Sequence, residues 1–85
     1  VLTYWGFTHR KMGNTDDAYR YYRMAIAQNP ANLLARSYMG QGLVDDGDLD
    51  AAREQLREIR TRGGRSTWAE ISLRLAVESG RTFSY

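Results

Sequence analysis

One histidine and four closely spaced aspartates are the residues of this chain best suited to chemistry. As a general base, His9 would need a nucleophile or an orienting carboxylate within reach, and the surrounding helical pattern places neither beside it. Asp45, Asp46, Asp48 and Asp50 suggest a calcium loop, but the loop's spacing and closing bidentate glutamate are absent. We therefore interpret His9 as a packing residue and the aspartates as residues that end and cap helices.

Arginine and tyrosine occur together in combinations that could bind RNA by stacking and phosphate contact. The residues are Arg20, Tyr21, Tyr22 and Arg23 in one segment and Arg53, Arg57 and Arg60 in another. Acidic residues lie among the second group at helical pairing distances, as Glu58 does with Arg62. The formal net charge is only +2. We therefore expect a solvated face of mixed charge and no nucleic-acid partner.

The composition of the chain limits the classes of function that remain. The 85 residues include no cysteine and one histidine, so we expect no metal site, no cofactor and no catalytic residue, and the chain is predicted not to be an enzyme. No apolar run approaches the length of a membrane span, so no membrane partner is expected. A hydrophobic fraction of 42% suits one small domain.

The chain begins at Val1, inside a helical pattern, and we expect it to be part of a longer protein. The absence of cysteine fits both reducing and oxidising compartments. The location is therefore left open between the cytoplasm and, if an upstream signal peptide was removed, the periplasm.

Five helices and no strand are predicted. The first runs from Val1 to about Met12, and the second from Asn14, its N-cap, to Gln28. Pro30 is expected to open the third helix. The fourth follows Asp48 and ends before Gly63-Gly64, and the fifth runs from Thr67 to about Ser79, beginning with a capping box in which Glu70 reaches back to the cap.

The helices repeat with a period of 34 positions. The matched pairs are Gly6 and Gly40, Gly13 and Gly47, Asn14 and Asp48, Ala18 and Ala52, and Tyr22 and Leu56. A fixed period of helix-turn-helix units predicts a stack in which each unit buries its apolar face against the next.

The repeat resembles the tetratricopeptide repeat family. Repeat one supplies Leu2, Trp5, Gly6, His9, Gly13, Ala18, Tyr22, Ala25 and Pro30, and repeat two supplies Met39, Gly40, Leu43, Gly47, Ala52 and Leu56. Repeat two departs from the family pattern at Arg36, Ile59 and Gly64. The pattern is also similar to that of small bacterial tetratricopeptide proteins. The resemblance implies an all-α fold, an α-α superhelix of two helix-turn-helix hairpins plus a fifth, capping helix.

The resemblance divides the chain into a single domain at 1–80 and a tail at 81–85. Repeat one occupies 1–32, repeat two 33–64 and the capping helix 66–79. In the register of the family, Trp68, Ile71 and Leu75 are expected to face the stack. A second apolar stripe is then left for the tail through Phe83 and Tyr85, for a partner, or for a homodimer contact. Its residues are Ala69, Leu73, Ala76 and Val77.

The function that the resemblance implies is a non-catalytic protein–protein interaction module. It would bind a peptide or protein surface in a concave groove, or associate with itself. The groove positions carried over from the family are Phe7, Arg10, Lys11, Ser37, Gln41, Val44 and Leu73. The alternatives are a structural segment that assembles a larger bacterial protein and, with less support, RNA binding.

Overall fold

The computed structural model describes residues 2–80, apart from the side chain of Tyr4. Within that range the chain forms α1 (Leu2–Lys11), α2 (Thr15–Gln28), α3 (Leu33–Asp45), α4 (Leu49–Thr61) and α5 (Trp68–Ser79). These residues contain no strand, and the prediction of an all-α fold is confirmed. None of the five helices has the length and apolar character that crossing a membrane requires.

Capping side chains set the starts of three helices. Asn32, Asp48 and Thr67 each accept a hydrogen bond from the backbone N–H three residues later, at 3.1–3.3 Å. The expected start of the third helix at Pro30 is wrong, because Asn32 is its N-cap and the helix begins at Leu33. Asn14 occupies the N-cap position of α2, but its side chain makes no capping hydrogen bond.

The helices form two hairpins and a fifth helix. α1 packs against α2, and α3 packs against α4. α1 also contacts α3, and α3 contacts α5, so the odd-numbered helices form a row in which each touches the next. α5 lies against both α3 and α4.

The apolar stripe of α2 is the packing surface of the first hairpin. Ala18, Tyr22 and Ala25 are all buried, as the small–large alternation predicts. α1 approaches this stripe closely at Gly6, where a Cβ atom would lie 2.6 Å from two carbon atoms of the Tyr22 ring. The large ring therefore fills the space that the glycine leaves.

The second hairpin accommodates the departures from the family pattern. Arg36 is buried, and its guanidinium donates to the backbone oxygen of Pro30 at 3.0 Å and to Oε1 of Gln55 at 3.1 Å. Burial lowers the pKa of Arg36, as does the nearby charge of Arg62, while Glu58 opposes this shift. The arginine stem thus fills an apolar place while its head is hydrogen-bonded.

The predicted orientation of α5 is wrong. Ala69, Leu73 and Ala76, expected to be exposed, are buried against α3 and α4, and Val77 packs partly against the same cores. Conversely, Trp68 is 61% exposed. The reason is that the two alanines allow close approach, and Leu73 fits over a glycine of α3. The predicted cover from Phe83 and Tyr85 lies outside the described residues.

Candidate partner-binding surface

Four of the seven predicted groove residues lie inside the fold. Ser37, Gln41 and Leu73 are fully buried, and Val44 is nearly so. They lie at the contact of α3 with α5, or of both with α4, so their expected exposure to a partner is wrong. The other three, which belong to α1, remain accessible, and binding at them stays a prediction.

The buried polar groove residues join α3 to α5 through hydrogen bonds. The Ser37 hydroxyl donates to the backbone oxygen of Ala69 at 2.8 Å and lies 3.1 Å from the Ser72 hydroxyl. Nε2 of Gln41 donates to both serine oxygens, at 3.2 and 3.3 Å. Because buried polar groups need partners, this network fixes how α5 sits on α3.

The accessible groove residues form a patch of aromatic and basic side chains. We call Phe7, Arg10, Lys11 and Tyr38 the Phe7 patch. The Phe7 and Tyr38 rings lie 5.1 Å apart, centre to centre. The Arg10 guanidinium carbon and the Lys11 Nζ each lie 5.6 Å from the centre of the Phe7 ring. An aromatic ring with two cations beside it can hold an apolar group next to a carboxylate.

Two contacts hold the patch in place. Nη1 of Arg10 donates to the backbone oxygen of Tyr38 at 3.2 Å, which links α1 to α3. Oγ1 of Thr3, one turn before Phe7 in α1, accepts from Nδ2 of Asn32 at 3.1 Å. Tyr38 was not predicted as a site residue. Its place beside Phe7 depends on how α1 packs against α3, which no local pattern in the sequence shows.

His9 packs as the sequence suggests. Its ring is stacked on Tyr21 of α2, with centres 5.1 Å apart and an angle of 19° between planes. Its Nδ1 lies 3.4 Å from Nδ2 of Asn14. Trp5, Thr8, His9 and Met12 also line a small cavity of about 330 Å³ on the outer side of α1.

The aspartate run serves helix ends and a cross-link between helices. Asp48 caps α4, and Asp50 lies 3.5 Å from Arg53. Asp46 accepts a hydrogen bond of 2.5 Å from the Tyr19 hydroxyl, and burial together with this bond raises the pKa of Tyr19. Among residues 2–80, no three histidine, aspartate or glutamate side chains are grouped to hold a metal ion.

A groove of about 570 Å³ between α4 and α5 is rich in arginine. Its lining residues are Arg53, Leu56, Arg57, Arg60, Thr61, Arg65, Arg74, Val77 and Glu78. Most of these arginines face carboxylates: Arg57 pairs with Glu54 at 2.5 Å, for example. This pairing supports the interpretation of a solvated face of mixed charge.

Glu70 lies behind this groove and is almost completely buried. Its Oε2 accepts from Nη2 of Arg60 at 2.9 Å and lies 3.4 Å from Nε of Arg74. Burial alone would raise the pKa of Glu70, but the hydrogen bonds from Arg60 and the two positive charges lower it overall. The expected capping box is only half formed: the Thr67 N–H donates to the backbone oxygen of Gly64, and the Glu70 carboxylate accepts from the Ser66 backbone and from Arg60 of α4 instead.

Comparison with known proteins gives one result. A family model described as the tetratricopeptide repeat matches residues 9–76, which is most of the chain. Searches of curated proteins and of solved structures each found no match. Tetratricopeptide repeats typically act as non-catalytic scaffolds that mediate protein–protein interaction. The two hairpins, the period of 34 and the matched residues agree, and the chain belongs to the tetratricopeptide repeat family.

Proposed function

We propose that this chain is a non-catalytic module that binds a peptide or protein segment at the Phe7 patch. One observation carries the proposal: the Phe7 ring lies within 5.6 Å of two cations and 5.1 Å from the ring of Tyr38, on the row of odd-numbered helices. In tetratricopeptide arrays this row lines the peptide-binding side, as the family resemblance implies. The patch combines the three expected groove residues that the fold leaves accessible with Tyr38 of α3.

The chemistry of the patch selects an acidic partner with an apolar or aromatic side chain. Lys11 is exposed and can pair with a carboxylate, while Phe7 and Tyr38 offer apolar area beside it. The Arg10 guanidinium is partly engaged by a backbone oxygen of α3, so it is oriented before a partner arrives. Two hairpins offer little area compared with a standard interface of about 1,600 Å², so we expect weak binding that depends on salt.

Two other roles have less support. Arg53 and Arg57 of α4 are paired with acidic residues of the same helix, and Arg60 with Glu70 of α5, which disfavours RNA as a ligand. A structural role in a larger assembly is the second candidate, and the exposed tryptophan of α5 favours it.

The proposal is tested with a phage-displayed library of random peptides on the immobilised full chain. We expect enrichment of peptides in which Asp or Glu neighbours an aromatic or aliphatic residue. Synthetic versions are then titrated by fluorescence anisotropy. Lys11→Glu should weaken binding by about tenfold, since a rim charge is reversed.

Arg23→Glu is the matched control, because it makes the same charge change at an exposed position of α2. It should leave the affinity within about twofold of that of the unmodified chain, because it changes only the long-range field. Enrichment without acidic residues, or equal weakening by both variants, would contradict binding at the Phe7 patch.

A further inference from the structure

Three apolar side chains of α5 lie on one side of the helix, facing away from α3 and α4. Trp68 is 61% exposed, Leu75 is 39% exposed, and Ile71 is partly exposed. Their spacing of three and four positions places them on one helix face. We call Trp68, Ile71 and Leu75 the α5 stripe. A tryptophan and two aliphatic side chains together on a surface are typical of a contact site.

The second hairpin indicates what covers the equivalent face of α3. A shift of 32 positions takes the α5 stripe to Arg36, Met39 and Leu43. Arg36 donates to Gln55 of α4, and Leu43 packs against a cluster that contains Ala52 of α4. This face of α3 is therefore covered by α4.

The first hairpin repeats the arrangement. A further shift of 34 positions gives Leu2, Trp5 and His9 on α1. The rings of Trp5 and His9 lie 5.9 and 5.1 Å from the ring of Tyr21 on α2. In both hairpins this face is covered by the next helix, which short turns make antiparallel. The α5 stripe is therefore shaped for the side of another antiparallel α-helix.

We propose that α5 of a second copy of this chain is that helix. Two α5 helices packed antiparallel about a twofold axis near Ile71 bring each Trp68 over Leu75 of the other copy. The stripe is self-complementary because Trp68 lies three positions before Ile71 and Leu75 four positions after it. The two Ile71 side chains meet at the axis.

Charges beside the α5 stripe fit the same arrangement. Arg65 and Glu78 both line the groove between α4 and α5, so they lie on the same side of the stripe, and they are at opposite ends of α5. A twofold axis that makes the helices antiparallel brings equal sides together, so each Arg65 faces Glu78 of the other copy. A parallel pair would bring like charges to the same level, which disfavours it.

The size of the contact sets its strength. One helix face buries less than the roughly 800 Å² per partner of a standard interface, so we expect a dimer that dissociates at micromolar concentration. The dimer leaves the Phe7 patch of each copy unchanged.

Sedimentation equilibrium of the full chain tests the proposal. Leu75→Glu should raise the dimer dissociation constant by tenfold or more, because a charge enters an apolar contact. Leu34→Glu is the matched control, since Leu34 on α3 is 41% exposed, close to the 39% of Leu75. It should leave the dimer unchanged. Leu75→Glu should also leave binding of peptides selected on the Phe7 patch unchanged, which separates this proposal from the function proposed above.

Charge exchange tests the orientation of the helices. Arg65→Glu and Glu78→Arg should each weaken the dimer, and the variant that carries both should recover it. Because the chain has no cysteine, Ile71→Cys adds a single thiol that should form a disulfide-linked dimer under mild oxidation. Met12→Cys, at a position just after α1 that is 65% exposed, should not.

Three results would overturn the proposal. The first is a chain that stays monomeric at about 1 mM, a concentration at which a contact of even 100 μM affinity is mostly formed. The second is equal weakening by Leu75→Glu and Leu34→Glu, or no recovery in the double charge variant. The third is loss of the dimer on deleting residues 81–85, which would assign the contact to that segment.

Discussion

Leu73 of α5 lies directly over Gly40 of α3: a Cβ atom at position 40 would be 2.7 Å from both Leu73 methyl carbons. Packed carbon atoms do not approach so closely, so the missing side chain sets the distance between the two helices. Leu73 is fully buried there and also packs with Leu56 and Ile59 of α4. One leucine thus joins three helices.

Gly40→Ala should therefore destabilise the fold. Overpacking typically costs about 1–3 kcal/mol, whereas alanine gains about 1 kcal/mol over glycine in a helix. We expect a net loss of up to about 2 kcal/mol in the free energy of unfolding, measured by urea denaturation and followed by circular dichroism.

A double-mutant cycle provides the control for this contact. Leu73→Ala alone should cost about 2–5 kcal/mol because it leaves a cavity. In Gly40→Ala/Leu73→Ala the added methyl group enters that space, so the loss should be smaller than the sum of the two single losses. Additive losses, or a Gly40→Ala variant more stable than the unmodified chain, would show that the two residues do not limit the helix distance.

Tyr22→Phe should leave stability unchanged or raise it by up to about 1 kcal/mol, since an unsatisfied buried hydroxyl is costly. The Tyr22 side chain is fully buried, and among the described residues its hydroxyl has no hydrogen-bond partner. Phenylalanine keeps the ring that packs against Gly6. A clear loss of stability, measured by urea denaturation, would show that the hydroxyl has a partner.

The same variant should change the response to alkali. Burial raises the pKa of Tyr22 to about 12, and the smaller effect of Arg10 opposes this. Because the pKa of Tyr22 is higher in the folded chain than in the unfolded chain, the fold favours the neutral phenol over the phenolate. This contribution to the free energy of unfolding is complete below the ordinary tyrosine pKa of about 10 and is lost as the pH rises towards 12. The stability of Tyr22→Phe should fall less steeply over this interval. Tyr19, whose pKa is also raised, accounts for part of the remaining fall in both proteins.

The sequence predicted most of the fold because its helices carry local signals. Period, glycine turns and caps such as Asp48 and Thr67 are read from neighbouring residues, and they placed four helices to within about two residues. The start of the third helix was wrong because two local signals competed. Pro30 can open a helix, but Asn32 makes the capping hydrogen bond.

The candidate surface was less predictable because exposure depends on which helix covers which face. Phe7 and Lys11 lie on α1, where Phe7 is partly exposed and Lys11 is exposed, whereas Gln41 and Leu73 face each other's helices. Gly40 was the overlooked signal, because a glycine in the middle of a helix indicates close approach of another element. The alignment with the family repeat assigned positions to the residues of α5, but it did not show which face of α5 packs against α3 and α4.

Glu70→Gln should lower the free energy of unfolding by about 1–3 kcal/mol, the range for hydrogen bonds that involve charged groups. The buried carboxylate receives Arg60 and lies close to Arg74, and glutamine keeps the shape but removes the charge that holds both. The matched control is Glu54→Gln. Glu54 pairs with Arg57 at the surface of α4, where little change is expected.

Lowering the pH should remove the contribution that Glu70 makes to the stability of the fold. Its pKa is lowered in the folded chain, because Arg60 and Arg74 outweigh the opposite effect of burial. Its stabilising contribution is therefore present above the ordinary glutamate pKa of about 4.3 and is lost as the pH falls through the lower, folded value. The difference in unfolding free energy between the unmodified chain and Glu70→Gln, measured by urea denaturation at a series of pH values, should shrink below about pH 4. A difference that stays constant down to pH 2, while Glu54→Gln matches the unmodified chain throughout, would mean that Glu70 stabilises α5 by packing and not by charge.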